Sequence, residues 1–156
     1  MPSHLEQREA AAAKYRPQQV RLLLVADTPP VPKEGTAPRY FYFEDVQEHD
    51  NLFVGVAKAL LGVEPTRSSK SQLLRRLLSL GVFLIDLKPE PTDKRSRRAC
   101  APDLVQRCRN LCPAHIILIS APVYDAAFAP LKAAGLPVVD ERLVFPGMQH
   151  KAAFAR

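Results

Sequence analysis

Two carboxylates and a hydroxyl each stand directly after a short apolar run. Asp27 follows Leu22-Leu-Leu-Val-Ala26, Asp86 follows Val82-Phe-Leu-Ile85, and Ser120 follows Ile116-Ile-Leu-Ile119. A carboxylate so placed is either a site residue or an acceptor that caps the turn. Thr28, Pro29 and Pro30 come next after Asp27. Proline lacks an N–H and fixes φ, and it drives the preceding residue out of the helical region, so an ordered loop is expected there. In open α/β sheets, sites form outside the carboxyl ends of the strands, which would bring Asp27, Asp86 and Ser120 to one rim. The structural alternative stays beside this one: Ser120 before Ala121-Pro122 also suits a helix N-cap.

Three further groups could join that rim. The aromatic run Tyr40, Phe41, Tyr42 and Phe43 cannot place all four rings on one face. One or two are expected to line a pocket or stack on a flat ligand, the alternative being an edge strand packed on the sheet. Lys88, Lys94, Arg95, Arg97, Arg98, Arg107 and Arg109 face only Glu90, Asp93 and Asp103 in the same stretch, a basic patch able to track phosphates. Near the end, Phe145-Pro146-Gly147 leads into His150 and Lys151, which could face an anion at a helix start.

The elements that must position these groups read as alternating strands and helices. Strands are expected at 21–26, 82–85, 116–119 and 137–139. Helices are expected at 3–15, 50–61, 69–80, 102–112 with Pro102 at its start, 122–134, and after Gly147. Residues 1–18 form a peripheral N-terminal element, and proline-rich loops span 27–40 and 87–100. Continuous apolar strands between amphipathic helices indicate an α/β domain, three-layered (α/β/α), with a central four-stranded parallel sheet. The whole of 1–156 reads as one domain.

Composition narrows the function classes. The 156 residues carry a net charge of +6, which favours an anionic partner. Fifteen prolines against six glycines imply stiff, defined loops. No apolar run approaches the ~18 residues of a membrane helix, and no signal-peptide pattern is present, so a cytoplasmic protein without a membrane partner is expected. Cys100, Cys108 and Cys112 form no CxxC pair, and Cys108 and Cys112, four apart, are expected to pack in the core. Neither a dinucleotide fingerprint, a P-loop nor a G-x-S-x-G elbow occurs.

In this order, Leu22-Leu-Leu-Val-Ala-Asp-Thr-Pro-Pro30 with the aromatic run after it, Phe83-Leu-Ile-Asp-Leu-Lys-Pro-Glu-Pro91, and Phe145-Pro-Gly-Met-Gln-His150 resemble the uracil-DNA glycosylase superfamily over about residues 20–154. The likeness is closest to its divergent bacterial members. It implies that DNA binds at the strand ends, that a base is flipped from the stack, and that its bond to the sugar is hydrolysed. By this resemblance Asp27 is the acidic residue of the first motif, with Thr28 and Pro29 beside the reacting centre. Tyr40 to Phe43 supply the stacking aromatic, and Asp86 falls near the Asn that reads the uracil edge. Phe145, Pro146 and Gly147 match a His-Pro-Ser motif, with His150 a candidate donor. Lys88, Lys94, Arg95, Arg97, Arg98 and Lys151 would contact DNA. Departures are specific: Ala26 and Pro30 replace glycines, Asp86 replaces the Asn, and Phe145 replaces the His. The four cysteines of the iron–sulfur branch are absent, and neither cofactor nor metal is implied. A monomer is expected. The departures at Asp86 and Phe145 motivate a second reading, a catalytically degenerate DNA-binding relative, and a third sets the resemblance aside for a small-molecule or nucleotide-binding α/β protein that uses Asp27 and Asp86 on the rim.

Overall fold

Strand β1, Leu22–Ala26, is the axis of the molecule. Leu23, Leu24 and Val25 have no exposed surface, as expected for a strand covered on both faces. It pairs in parallel with β2 (Val82–Asp86) on one side and β3 (His115–Leu118) on the other, giving the order β2-β1-β3. The register sets Ala26 beside Asp86 and Val25 beside Leu118, so the three strands end together. The pairing of β1 with β2 runs on past the strands: Leu87 N–H donates to the Ala26 carbonyl (2.7 Å) and Lys88 N–H to the Asp27 carbonyl (2.9 Å). This computed structural model describes residues 3–31, 39–44 and 51–143, with Asn51 and Arg67 described by backbone alone.

Among the described residues five α-helices flank the sheet: α1 (His4–Lys14), α2 (Asn51–Val56), α3 (Lys70–Leu80), α4 (Arg97–Leu111) and α5 (Ala121–Ala133). Ser3 caps α1, its side chain accepting from Glu6 N–H. A π-helical segment, Ala57–Leu61, extends α2 until Gly62 ends it. α3 stops at Gly81, whose φ of +79° puts it in the left-handed region. A Cβ there would lie 2.8 Å from Arg21 Cγ, so that position excludes larger residues twice over. The crossover from β1 to β2 carries α2 and α3, and the one from β2 to β3 carries α4. Leu52 of α2 shares a cavity with Leu84, while Arg107 and Leu111 of α4 share a groove with Phe83 and Ile85. Alternate residues of β2 face opposite ways, so the two crossovers cover opposite faces. The chain therefore reverses direction at β1, and the crevice beyond β1 and β3 is the topological switch point of a doubly wound sheet.

Among the described residues the sheet has three strands, and the expected fourth is reduced to one parallel bridge, Ile116 to Val138. The cause is local. Pro137 has no N–H to give. Val138 N–H turns back to the Leu136 carbonyl and Glu141 N–H to the Val139 carbonyl, leaving only Val139 N–H to reach Ile116.

Helix α4 also differs from expectation, beginning five residues before Pro102. Ser96 caps it by accepting from Ala99 N–H (3.1 Å), and Pro102 sits inside. A helix tolerates that proline at the loss of one bond, here the one to the Arg98 carbonyl at an exposed turn. Cys108 is buried as expected, and so is Cys100; burial pushes the Cys108 thiol up to about 11. Cys112 is exposed instead, because it is the left-handed C-cap of α4 (φ +47°) and turns out of the helical face.

The aromatic run is a turn rather than a strand: Phe43 N–H donates to the Tyr40 carbonyl (3.0 Å). The turn lets neighbouring rings diverge. Tyr40, Phe41 and Tyr42 are buried and Phe43 is half-buried. β2 is an edge strand, and the Tyr42 hydroxyl accepts the outward N–H of Leu84 (2.8 Å) while its ring stacks on Tyr15. Lys70, at the start of α3, is wholly buried; its Nζ donates to the Tyr40 carbonyl (3.0 Å) and lies 4.9 Å from the Phe53 ring centre. No described helix is long and apolar enough to cross a membrane.

Candidate nucleobase cavity at the strand ends

A cavity of about 360 Å³ opens at the carboxyl ends of the strands. Its walls come from every element that ends or begins there: Ala26 to Pro30 from β1 and its loop, Tyr40 and Phe41 from the aromatic turn, and Leu52 from α2. Leu84 and Asp86 come from β2, and Ile119, Ser120 and Pro122 from the β3–α5 junction. Seven residues singled out in the sequence thus line one space: Asp27, Thr28, Pro29, Tyr40, Phe41, Asp86 and Ser120. The size and the mix of apolar walls with few polar groups are those of small-ligand sites.

Asp27 lies just past β1, and each of its oxygens accepts one bond. Arg97, at the first position of α4, donates from Nε to Oδ1 (2.9 Å) and from Nη2 to Oδ2 (2.7 Å). This two-pronged geometry fits a guanidinium to a carboxylate. The side chains are 31% and 45% exposed, so the pair sits at the mouth and not in the interior. The sequence showed each partner but not their meeting, because 70 residues separate them. With Ser96 as the N-cap, Arg97 opens α4 beside the strand ends.

Asp86 is the last residue of β2 and is 7% exposed. Its backbone carbonyl accepts Arg107 Nη1 (2.7 Å), and the Leu87 carbonyl accepts Arg107 Nη2 (2.9 Å), which fixes the end of the strand. Burial, and then the negative charge of Asp86, pushes the Tyr40 phenol well above its ordinary value, so Tyr40 keeps its proton.

Ser120 caps α5, accepting from Val123 N–H (3.4 Å). It does so at φ +129° and ψ 154°, a region that only glycine occupies without strain. The strained residue stands at the switch point and lines the cavity.

The remaining candidates divide. Tyr42 and Phe43 do not reach the cavity; they line a separate groove with Tyr15 and Glu44. Lys88 donates to the Arg95 carbonyl (2.9 Å), and Arg95 holds Asp93 through Nε, Nη2 and its own backbone N–H, keeping the Asp93 carboxyl down at about 2. The basic loop is thereby folded on itself. Lys94 and Arg98 are exposed and carry no hydrogen bond or ion pair with other described residues. Phe145, Pro146, Gly147, His150 and Lys151 lie outside the described residues. No group of three or more His, Cys, Asp or Glu side chains among the described residues could hold a metal ion. Lys70, which anchors the Tyr40 carbonyl behind the cavity wall, was not foreseen; a lone lysine in a helical stretch gives no sequence signal for burial.

No protein-family model, curated protein or solved structure matches this chain.

Proposed function

We propose that the chain is a uracil-DNA-glycosylase-like protein that takes an extruded nucleobase into the cavity at the strand ends and hydrolyses its bond to the sugar. One observation carries the reading: Asp27, Thr28, Pro29, Tyr40, Phe41 and Asp86, named from scattered segments, line a single cavity at the switch point of a parallel sheet. The fold assignment goes with it, the segment 137–139 being a remnant of a fourth strand. In this reading the flat face of the base lies against the aromatic wall formed by Tyr40 and Phe41. Heterolysis of the glycosidic bond develops positive charge on the sugar, and the Asp27 carboxylate stabilises it and orients the attacking water. Lys94 and Arg98, exposed and without a side-chain hydrogen bond or ion pair to another described residue, meet the phosphates. The protein acts as a cytoplasmic monomer.

The test is incubation with single- and double-stranded oligonucleotides that contain damaged or deaminated bases, scored for alkali-labile abasic sites. Cleavage is expected with the natural chain and lost in Asp27→Asn. Full activity in that variant removes the mechanism.

The two-pronged hold of Arg97 on Asp27 favours a second reading, a DNA-binding relative that has lost hydrolysis. It expects salt-sensitive DNA binding with no base release on any substrate.

A further inference from the structure

The arginines are sorted between the two ends of the sheet. At the carboxyl ends of the strands Arg97 holds Asp27, Arg95 holds Asp93 and Arg142 holds Asp125. At the opposite end they are unmatched. Arg21 stands just before β1, where its N–H donates to the Gly81 carbonyl (2.8 Å) and its stem lies over Gly81. Arg109 is in the last turn of α4, whose exit to β3 is tied to the start of β1 by Ala114 N–H and the Val20 carbonyl (3.1 Å). Arg16 follows α1 and shares a groove with Asn110 and Leu111 of α4. All three arginines are exposed, and none makes a side-chain hydrogen bond or ion pair with another described residue. Glu9, the acid in that groove, makes no ion pair with Arg16.

Helices α3 and α4 also end here, and each helix C-terminus carries about half a negative charge that a cation could serve. These guanidiniums do not serve it by hydrogen bonding: Gly81 and Cys112 cap the two helices through their own N–H groups. The positive charge is surplus. A guanidinium fork fits phosphate geometry. No aromatic ring among the described residues is exposed, and the large exposed apolar side chain at this end is Leu80 alone. One leucine is too little to anchor a protein in a bilayer. The surface therefore reads charge, and charge gains most against the polyanion that releases condensed counterions, nucleic acid.

We propose that this end of the sheet is a second nucleic-acid surface, independent of sequence, on which Arg16, Arg21 and Arg109 each meet a backbone phosphate. It lies about 18 Å from the cavity mouth, measured along α4 from Arg97 to Arg109. A chain engaged at its cavity thus has a free surface for another segment. The proposal stands without base chemistry at the strand ends.

The probe is a short undamaged duplex, titrated by fluorescence anisotropy into Lys94→Gln/Arg98→Gln, which lacks the unpaired cations at the cavity end. Binding is expected to persist, weakening about 40-fold between about 50 and 200 mM salt, as three phosphate contacts require. Adding Arg16→Gln, Arg21→Gln and Arg109→Gln is expected to abolish it. No binding by the first variant, or binding unchanged by the three added substitutions, overturns the proposal. If the combined variant does not fold, Arg16→Gln with Arg109→Gln is expected to reduce the slope of log affinity against log salt by about two, and an unchanged slope overturns the proposal. Vesicles of phosphatidylserine and phosphatidylcholine are expected to bind more weakly than the duplex. Tighter binding to vesicles that is lost with the arginines makes a lipid surface the partner and overturns the nucleic-acid assignment. Base release does not enter this readout, so failure of the proposed hydrolysis and failure of this surface are separate results.

Discussion

Removing the Arg97 fork from Asp27 tests the placement of the site mouth. Arg97→Gln, Asp27→Asn and the double variant form a cycle whose coupling energy isolates the pair. Its two bonds are short and parallel, which argues for a real interaction. Its exposures of 31% and 45% argue against a large one, because water and salt screen both partners. Between these limits the coupling should be about 0.5–1 kcal/mol. For a chain of this length that corresponds to about 1–4 °C in melting temperature. Urea is the proper denaturant, since guanidinium chloride would screen the charges being measured. Raising the ionic strength should shrink the coupling. A coupling near zero at low salt would refute the bidentate geometry, and one above about 2 kcal/mol would show a pair far more desolvated than the exposures indicate.

Arg97 and Arg98 are neighbours in sequence with opposite expectations toward DNA. Arg98→Gln should reduce the slope of log affinity against log salt by about one, while Arg97→Gln should barely change it because Asp27 already neutralises that charge; equal slopes in the two variants would contradict this. At Ser120 the strain and the cap oppose one another. Ser120→Ala loses the cap and keeps the strain, so it should be destabilised by about 1 kcal/mol, and Ser120→Gly should be the more stable of the two in urea melts. Asp93 has a folded-state pKa depressed to about 2 by Arg95, so its contribution to stability is present above the unfolded value near 4 and is lost as pH falls from about 4 to about 2. Asp93→Asn should therefore flatten the acid limb of the stability curve in that window; an unchanged limb would rule out the Asp93–Arg95 contact.

Hydrophobic continuity made the three strands legible, because a strand buried on both faces needs no alternation, and the runs at 22–26, 82–86 and 115–118 satisfy that. The glycine stop at Gly81 and the serine caps of α1 and α5 were also readable, being local chemistry. The start of α4 was missed because Pro102 is the loudest helix-start signal in its neighbourhood, while the quieter Ser96 cap prevails. The fourth strand was overcalled because Val138 and Val139 look right by residue type, and their N–H groups are diverted by turns that residue type does not reveal. At the site, Asp27, Asp86 and Ser120 were legible as strand ends. The ion pair that occupies Asp27 and the lysine that holds the Tyr40 carbonyl depend on contacts 70 and 30 residues away along the chain, which a single sequence does not encode locally.

The hydroxyl of Tyr42 has a consequence for how this protein behaves in a crowded solution. A flat, apolar outer strand such as Val82–Asp86 is a template on which another chain can add itself and begin a fibre. By occupying the Leu84 N–H at the middle of that strand, and by laying an aromatic ring alongside, the turn at Tyr40–Phe43 removes the central rung such an addition needs. An added strand would have to displace that phenol before it could pair with the middle of β2.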